Sequence, residues 1–412
     1  MRLSVGGATI WGMTQTTTQT AAQMTQTMHP TLLAIGTRKG LWLARSDDRR
    51  TWVLDGPHFL MSEIPSIAID TRRMDTRGTD SSSTDTPSID SSSTDKPSGA
   101  PRLLVGVRSE HWGPTVVRSD DLGTSWDETP QGALRFPPDT GVAVERVWQI
   151  TPDVHDDDVV WASTEPQALW RSGDRGETFS LVRGLWEHPH RPQWGAGFGG
   201  AAIHTILPDP ADPASMLVAM STGGVYRSAD GGQSWTANNS GIKAPYQPDP
   251  WPEFGQCVHK VARDGVNPAR LYAQNHHGVY RSDDNGAGWT SIADGLPTDF
   301  GFTVLAHPSR GDTVWLIPIT ADSERVPPGG QLQVQRSRDA GATWVTCSDG
   351  LPAPSYTCVL RDAAAADTHP RAGVYFGTRN GEVYASDDEG ESFVRIAEQL
   401  PDILCVRAAV LT

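Results

Sequence analysis

"RSADGGQSW" (Arg227–Trp235) decides how this chain is read, because five close copies repeat its order of Ser, Asp, Gly and aromatic residue. They are "RSDDLGTSW" (Arg118–Trp126), "RSGDRGETF" (Arg171–Phe179), "RSDDNGAGW" (Arg281–Trp289), "RSRDAGATW" (Arg336–Trp344) and "ASDDEGESF" (Ala385–Phe393). Aligned on Ser119, Ser172, Ser228, Ser282, Ser337 and Ser386, they are spaced by 53, 56, 54, 55 and 49 residues. A period near 50 residues is that of a propeller blade. A seventh, shortened copy, "RSDDRRTW" (Arg45–Trp52), lacks the Gly, and its Ser46 lies 73 residues ahead of Ser119. One insertion, residues 75–100, explains the excess. It contains "DSSSTDTPSIDSSSTDKPSG", a ten-residue polar unit written twice, and is expected to be a disordered loop.

Within each period four short apolar or β-branched runs recur. Around the copy at Ser282 they are "CVHKVARD", "RLYAQNHH", "GVYRS" and "WTSIAD", separated by Gly, Asn, Asp or Pro. These are named strands A to D of an antiparallel blade. Such a blade cannot bury both faces alone, so several must pack around an axis. The chain opens with "TLLAIGT", "GLWLARS" and "TWVLD", which are B, C and D without an A, and ends with "DILCVRAAVLT", an A without a B. The expectation is an all-β, seven-bladed β-propeller of four-stranded antiparallel blades over residues 31–412, closed by the C-terminal strand completing the first blade.

The repeated Asp follows strand C by two residues, and the Gly two further on can take positive φ at no steric cost. Asp121, Asp174, Asp230, Asp284, Asp339 and Asp388 therefore read as structural turn clamps that accept hydrogen bonds from their own turn. The Trp or Phe then packs between blades. A catalytic group is not needed six times around a ring.

Bulk properties agree. With 20% charged residues, 37% hydrophobic residues, 15 Trp, 41 Gly and 31 Pro, the 412-residue chain has the profile of many short strands and turns. A net charge of −15 without a basic run argues against nucleic-acid partners and anionic membranes. No apolar run approaches the roughly 20 residues that span a bilayer. Cys257, Cys347, Cys358 and Cys405 lack CxxC spacing and read as reduced core residues, which suits a cytoplasmic location. Residues 1–30 form a tail expected to be disordered. Its Thr/Gln-rich first part does not read as a signal peptide, and Met13, Met24 and Met28 allow a start downstream of Met1.

The six full copies resemble the S-x-D-x-G-x-[ST]-[WF] pattern of BNR or Asp-box repeat proteins, with Gly288 replacing the Ser/Thr in the copy at Ser282. The resemblance runs from about residue 31 to the end and implies the propeller fold. Such repeats occur in sialidases, other glycoside hydrolases, sortilin-type receptors and photosystem II assembly factors, so fold alone does not select an activity. It also implies a ligand site on the face opposite the Asp boxes. True sialidases have six blades and an early F/Y-R-I-P motif. "RFPP" (135–138) only echoes it, and among Tyr246, Tyr356 and Tyr375 none is assigned as nucleophile. Strict exo-sialidase activity is therefore not expected.

Strand direction places the B-to-C and D-to-A connections on that opposite, upper face. "GTRKG" (36–40), "GVRSEHWG" (106–113) and "GTRNG" (377–381) put Arg38, Arg108 and Arg379 at matching positions in adjacent blades. Converging guanidinium groups would bind a carboxylate, sulfate or phosphate; exposed turn arginines are the plainer alternative. His111 and Trp112 share the second loop. Long loops "RGLWEHPHRPQWGAGFGG" (183–200) and "NNSGIKAPYQPDPWPEFGQ" (238–256) supply Trp186, His188, Trp194, Trp251 and Glu253 as ligand-binding candidates, or plug the channel. Glu63, Glu145 and Glu110 are the catalytic candidates, since glycoside hydrolysis needs two carboxyl groups; Glu165 and Glu187 are also available. His188, His190, His204, His259, His276 and His277 show no ligand spacing such as HExxH, so no metal or other cofactor is expected.

Two functions stay open. One is a glycosyl-hydrolase-like propeller acting on or binding a sugar or anionic ligand. The other is a non-catalytic module that holds a peptide or protein. A concave pocket with converging Glu and Arg favours the first; a broad, flat aromatic patch favours the second.

Overall fold

The computed structural model describes residues 29–72, 101–129, 132–197 and 199–411. The expectations for residues 1–28 and 75–100 lie outside the described residues. Twenty-eight strands form seven antiparallel sheets of four, each in the order A-B-C-D. The A strands are Ile403–Val410, Ser62–Asp70, Arg146–Pro152, Ile203–Asp209, Val258–Arg263, Gly301–Ala306 and Ala364–Ala366. Each touches the A strand of the next blade, and the seven together wall a central channel. The molecule is a seven-bladed β-propeller.

Closure follows the expected path. Thr31–Thr37 pairs with Ile403–Val410 in a register running from Thr31↔Val410 to Thr37↔Ile403. Gly36 is required there because a Cβ would sit 2.4 Å from the Ile64 carbonyl oxygen of the next blade. Strand C then carries six of the seven chain segments from the upper face down to an S-x-D-x-G turn, and the first to the shortened copy at Ser46.

Those turns share one hydrogen-bond pattern. In all six full copies the Ser hydroxyl donates to Asp Oδ1 at 2.6–2.8 Å and accepts the Gly amide at 2.8–2.9 Å. Asp Oδ1 also accepts the amide four residues on at 2.8–3.0 Å. Five copies add a hydroxyl from that same residue to Oδ2 at 2.5–2.7 Å; Gly288 cannot. Asp48 in the shortened copy still gathers the Arg50 and Thr51 amides at 2.8 and 2.7 Å. The Gly takes left-handed φ, as at Gly123 (91°) and Gly286 (89°). The residue before it is left-handed too, as at Leu122 and Asn285 (both 56°), a feature the pattern S-x-D-x-G does not reveal.

The aromatic residue that follows seals the seam between blades. Trp289 and Trp344 donate their indole N–H to Asn238 and Ile292 carbonyls of the preceding blade, at 3.0 and 2.9 Å. Phe179 and Phe393 are buried in the same way, each ring contributing roughly 1.5 to 3 kcal/mol by area. All four cysteines are buried and unbridged.

Candidate functional site at the channel mouth

At the end of the channel opposite the S-x-D-x-G turns, the first residues of the A strands meet the B-to-C and D-to-A connections around a concave cavity of about 680 Å³. Five arginines (Arg38, Arg146, Arg325, Arg361, Arg379) and three carboxylates (Glu63, Asp322, Asp362) line it. That excess of cations is notable in a chain of net charge −15.

On one side the arginines are paired. Arg38 bonds Asp402 at 3.0 Å and Glu63 at 3.3 Å, and Arg379 bonds Asp402 at 2.8 Å. Arg146 bridges Glu63 at 2.8 Å and Glu165 at 3.1 Å, while Arg108 lies 3.9 Å from Glu63. Arg38, Arg108 and Arg379 therefore do converge, but onto carboxylates of the protein. Each Glu63 oxygen is engaged by a guanidinium group, Oε1 by Arg146 and Oε2 by Arg38.

Across the cavity Arg325 is held by Asp322 at 2.8 Å. Arg361 is different. It precedes strand A of the last blade, is 9% exposed, stands 5.0 Å from the centre of the Phe302 ring, and its Nε has no hydrogen-bond partner. No described residue forms a hydrogen bond or ion pair with its guanidinium. Gly199 packs beside it, where a Cβ would lie 3.1 Å from Nη1. Burial works against the charge of this group, and nearby Cys257 and Asp362 only partly offset that cost.

The floor is a buried ionic cluster. Asp362 accepts Lys260 Nζ at 2.7 Å and Arg407 Nη2 at 2.8 Å, so blades five, seven and one are joined across the channel. Burial alone would raise the Asp362 carboxyl; Lys260 and Arg407 outweigh it and hold the pKa below the ordinary value. His259 and His276 also line the cavity, with pKa values lowered chiefly by burial.

The remaining sequence candidates sit elsewhere. Trp186 and Trp194 are buried, packed respectively on Phe136 and Tyr226, so neither ring is free to stack on a ligand. The loop carrying them turns its indoles into the apolar clusters of the blades, where their rings are removed from water. His188 bonds the Trp235 carbonyl and stacks near Trp194. Trp251 is half exposed beside Lys243, and the Glu253 carbonyl accepts from Asn239. Glu110, His111 and Glu145 are exposed, and Trp112 borders a separate recess with Leu134 and Arg135. Arg361, Arg146 and Arg325 were missed by sequence reasoning. Five residues before the Asp or His at or just after the end of strand A stand Pro65, Trp148, His204, His259, Phe302 and Asp362, a regularity that marks the upper part of strand A but picks out none of the three arginines.

No protein-family model matches the chain. A xyloglucanase from Paenibacillus sp is 30% identical over 211 residues, 50% of this chain but 17% of that enzyme. The chain thus spans about a sixth of the length of the curated relative it matches. Among solved structures, YCF48 from Cyanidioschyzon merolae aligns over 81% of this chain and 85% of its own at 15% identity and TM-score 0.47. YCF48 bound to D1 peptide aligns over 71% and 78% at 16% identity and TM-score 0.45. An ancestral GH74 enzyme aligns over 88% of this chain and 52% of its own at 12% identity and TM-score 0.44.

Proposed function

We propose that this propeller binds a small anionic ligand, a carboxylate or sulfate on a sugar-sized frame, in the mouth cavity. The observation that carries the reading is Arg361: a buried guanidinium bordering the cavity without a hydrogen-bond or ion-pair partner among the described residues. Burying an unpaired charge is costly, and a bidentate oxyanion removes that cost. The concave mouth also suits a small ligand better than an extended protein surface.

Thermal-shift and calorimetric screening with glucuronate, sulfate and phosphate, against neutral glucose as control, tests the reading. Anions should raise Tm and glucose should not. Equal responses to glucuronate and glucose would remove the anion site. A second reading, glycoside hydrolysis, is supported by the sequence similarity to a xyloglucanase. Turnover of chromogenic glycosides that survives Glu63→Gln would exclude Glu63 as the acid or nucleophile of such a reaction.

A further inference from the structure

A second chemistry shares the cavity wall. Cys257 and His259 flank the first residue of strand A in blade five, and the His276 amide donates to the Cys257 carbonyl at 2.9 Å, so the three side chains meet from neighbouring strands. The Sγ and one ring nitrogen of each histidine all lie within 4.8 Å of one another. We propose that Cys257, His259 and His276 form a binding site for a borderline-soft divalent ion such as Zn²⁺, with its fourth position open to the cavity.

The ligand set is one thiolate and two imidazoles, a combination that favours zinc over magnesium or calcium. In a tetrahedral zinc site such atoms stand about 3.5 Å apart. The remaining approach falls to His276, the one ligand of the three that is not fully buried. Outer contacts suit the task. His259 Nδ1 is 2.6 Å from the Gly301 carbonyl, so it carries the proton and leaves Nε2 as the ligating nitrogen. Burial raises the Cys257 thiol above its ordinary value, and contacts from Thr222 and Ser221 offset that only in part, so the ion must displace the thiol proton. His204 Nε2 is hydrogen-bonded to the Ser221 hydroxyl beside the site. Binding releases the Cys257 proton to solvent as the metal–sulfur bond forms. The ion, one thiolate and two neutral imidazoles carry one net positive charge beside Arg361, and the fourth position takes water, hydroxide or an anion from the cavity.

This site stands independently of the anion reading, because its three ligands belong to the protein. Metal-stripped protein is titrated with Co²⁺, followed by Zn²⁺ competition. The expected result is one Co²⁺ per chain, with a thiolate-to-cobalt charge-transfer band and the visible bands of tetrahedral geometry, both displaced by Zn²⁺. Cys257→Ser should abolish the charge-transfer band, and His276→Ala should weaken binding by more than about tenfold, since even outer contacts are worth that much. His277→Ala, beside the site, should retain it. Circular dichroism of the metal-free variants separates lost ligation from lost fold. No Co²⁺ uptake by folded wild-type protein, uptake without the thiolate band, or a band that persists in Cys257→Ser would each overturn the site.

Discussion

Asp174 and Arg361 are both charged side chains at strand ends, yet among the described residues only Asp174 finds hydrogen-bond partners. Asp174 accepts hydrogen bonds from Ser172 and Thr178 within its turn. Its contacts are local, which is why the role of the six aspartates is legible from a nine-residue pattern. Arg361 borders a cavity walled by several blades, and nothing within nine residues of it announces that. Asp174→Ala should lower stability by about 1 to 2 kcal/mol through lost turn contacts, read as a lower urea midpoint. Acid should act on the same turns. The carboxyls of Asp48, Asp121 and Asp230 are held down at about 2 by hydrogen bonds from their turns, against an ordinary value of 3.8. Because the folded value is depressed, their contribution is fully present above the ordinary value and is lost as pH falls from there towards 2. Urea midpoints should therefore show no change from these groups between pH 7 and 5, and a decline below about pH 4. A midpoint insensitive to acid down to pH 2.5 would contradict the clamp.

Strands and loops differ in what the sequence disclosed. The period, the missing first A strand and the spare last one together determine the blade count, because each blade needs four strands and the ring needs none unpaired. Truncation after Leu400 removes Ile403–Val410 and its pairing with Thr31–Thr37, leaving the Thr31–Thr37 edge open. That variant should lose the single cooperative unfolding transition and aggregate, which calorimetry and light scattering would show. The long loops were less legible. Their direction onto the upper face follows from strand polarity, but composition cannot say whether an indole turns outward to a ligand or inward to a seam, and Trp186 and Trp194 turn inward. Arg38 and Arg379 were found because they repeat at matching positions. Their engagement by Asp402 was not, because Asp402 precedes the closing strand, more than 360 residues from Arg38.

For the whole molecule, closure of the ring brings charges together that no local stretch contains. Asp362 joins Lys260 and Arg407 from two other blades, and Asp362→Ala would leave two largely shielded cations without their carboxylate, lowering the denaturation midpoint. A chemical denaturation midpoint equal to that of the parent would refute this role for the floor. The same geometry gives an acidic protein a cationic mouth, on the face away from its repeated aspartates. The most direct test of that division is a calorimetric titration of glucuronate and phosphate into Arg361→Gln and Asp174→Ala side by side with the parent, with urea midpoints for all three. The expected result is anion affinity reduced by about tenfold or more in Arg361→Gln at near-parental stability, and parental affinity at reduced stability in Asp174→Ala. Anion affinity lost in Asp174→Ala and kept in Arg361→Gln would contradict the account.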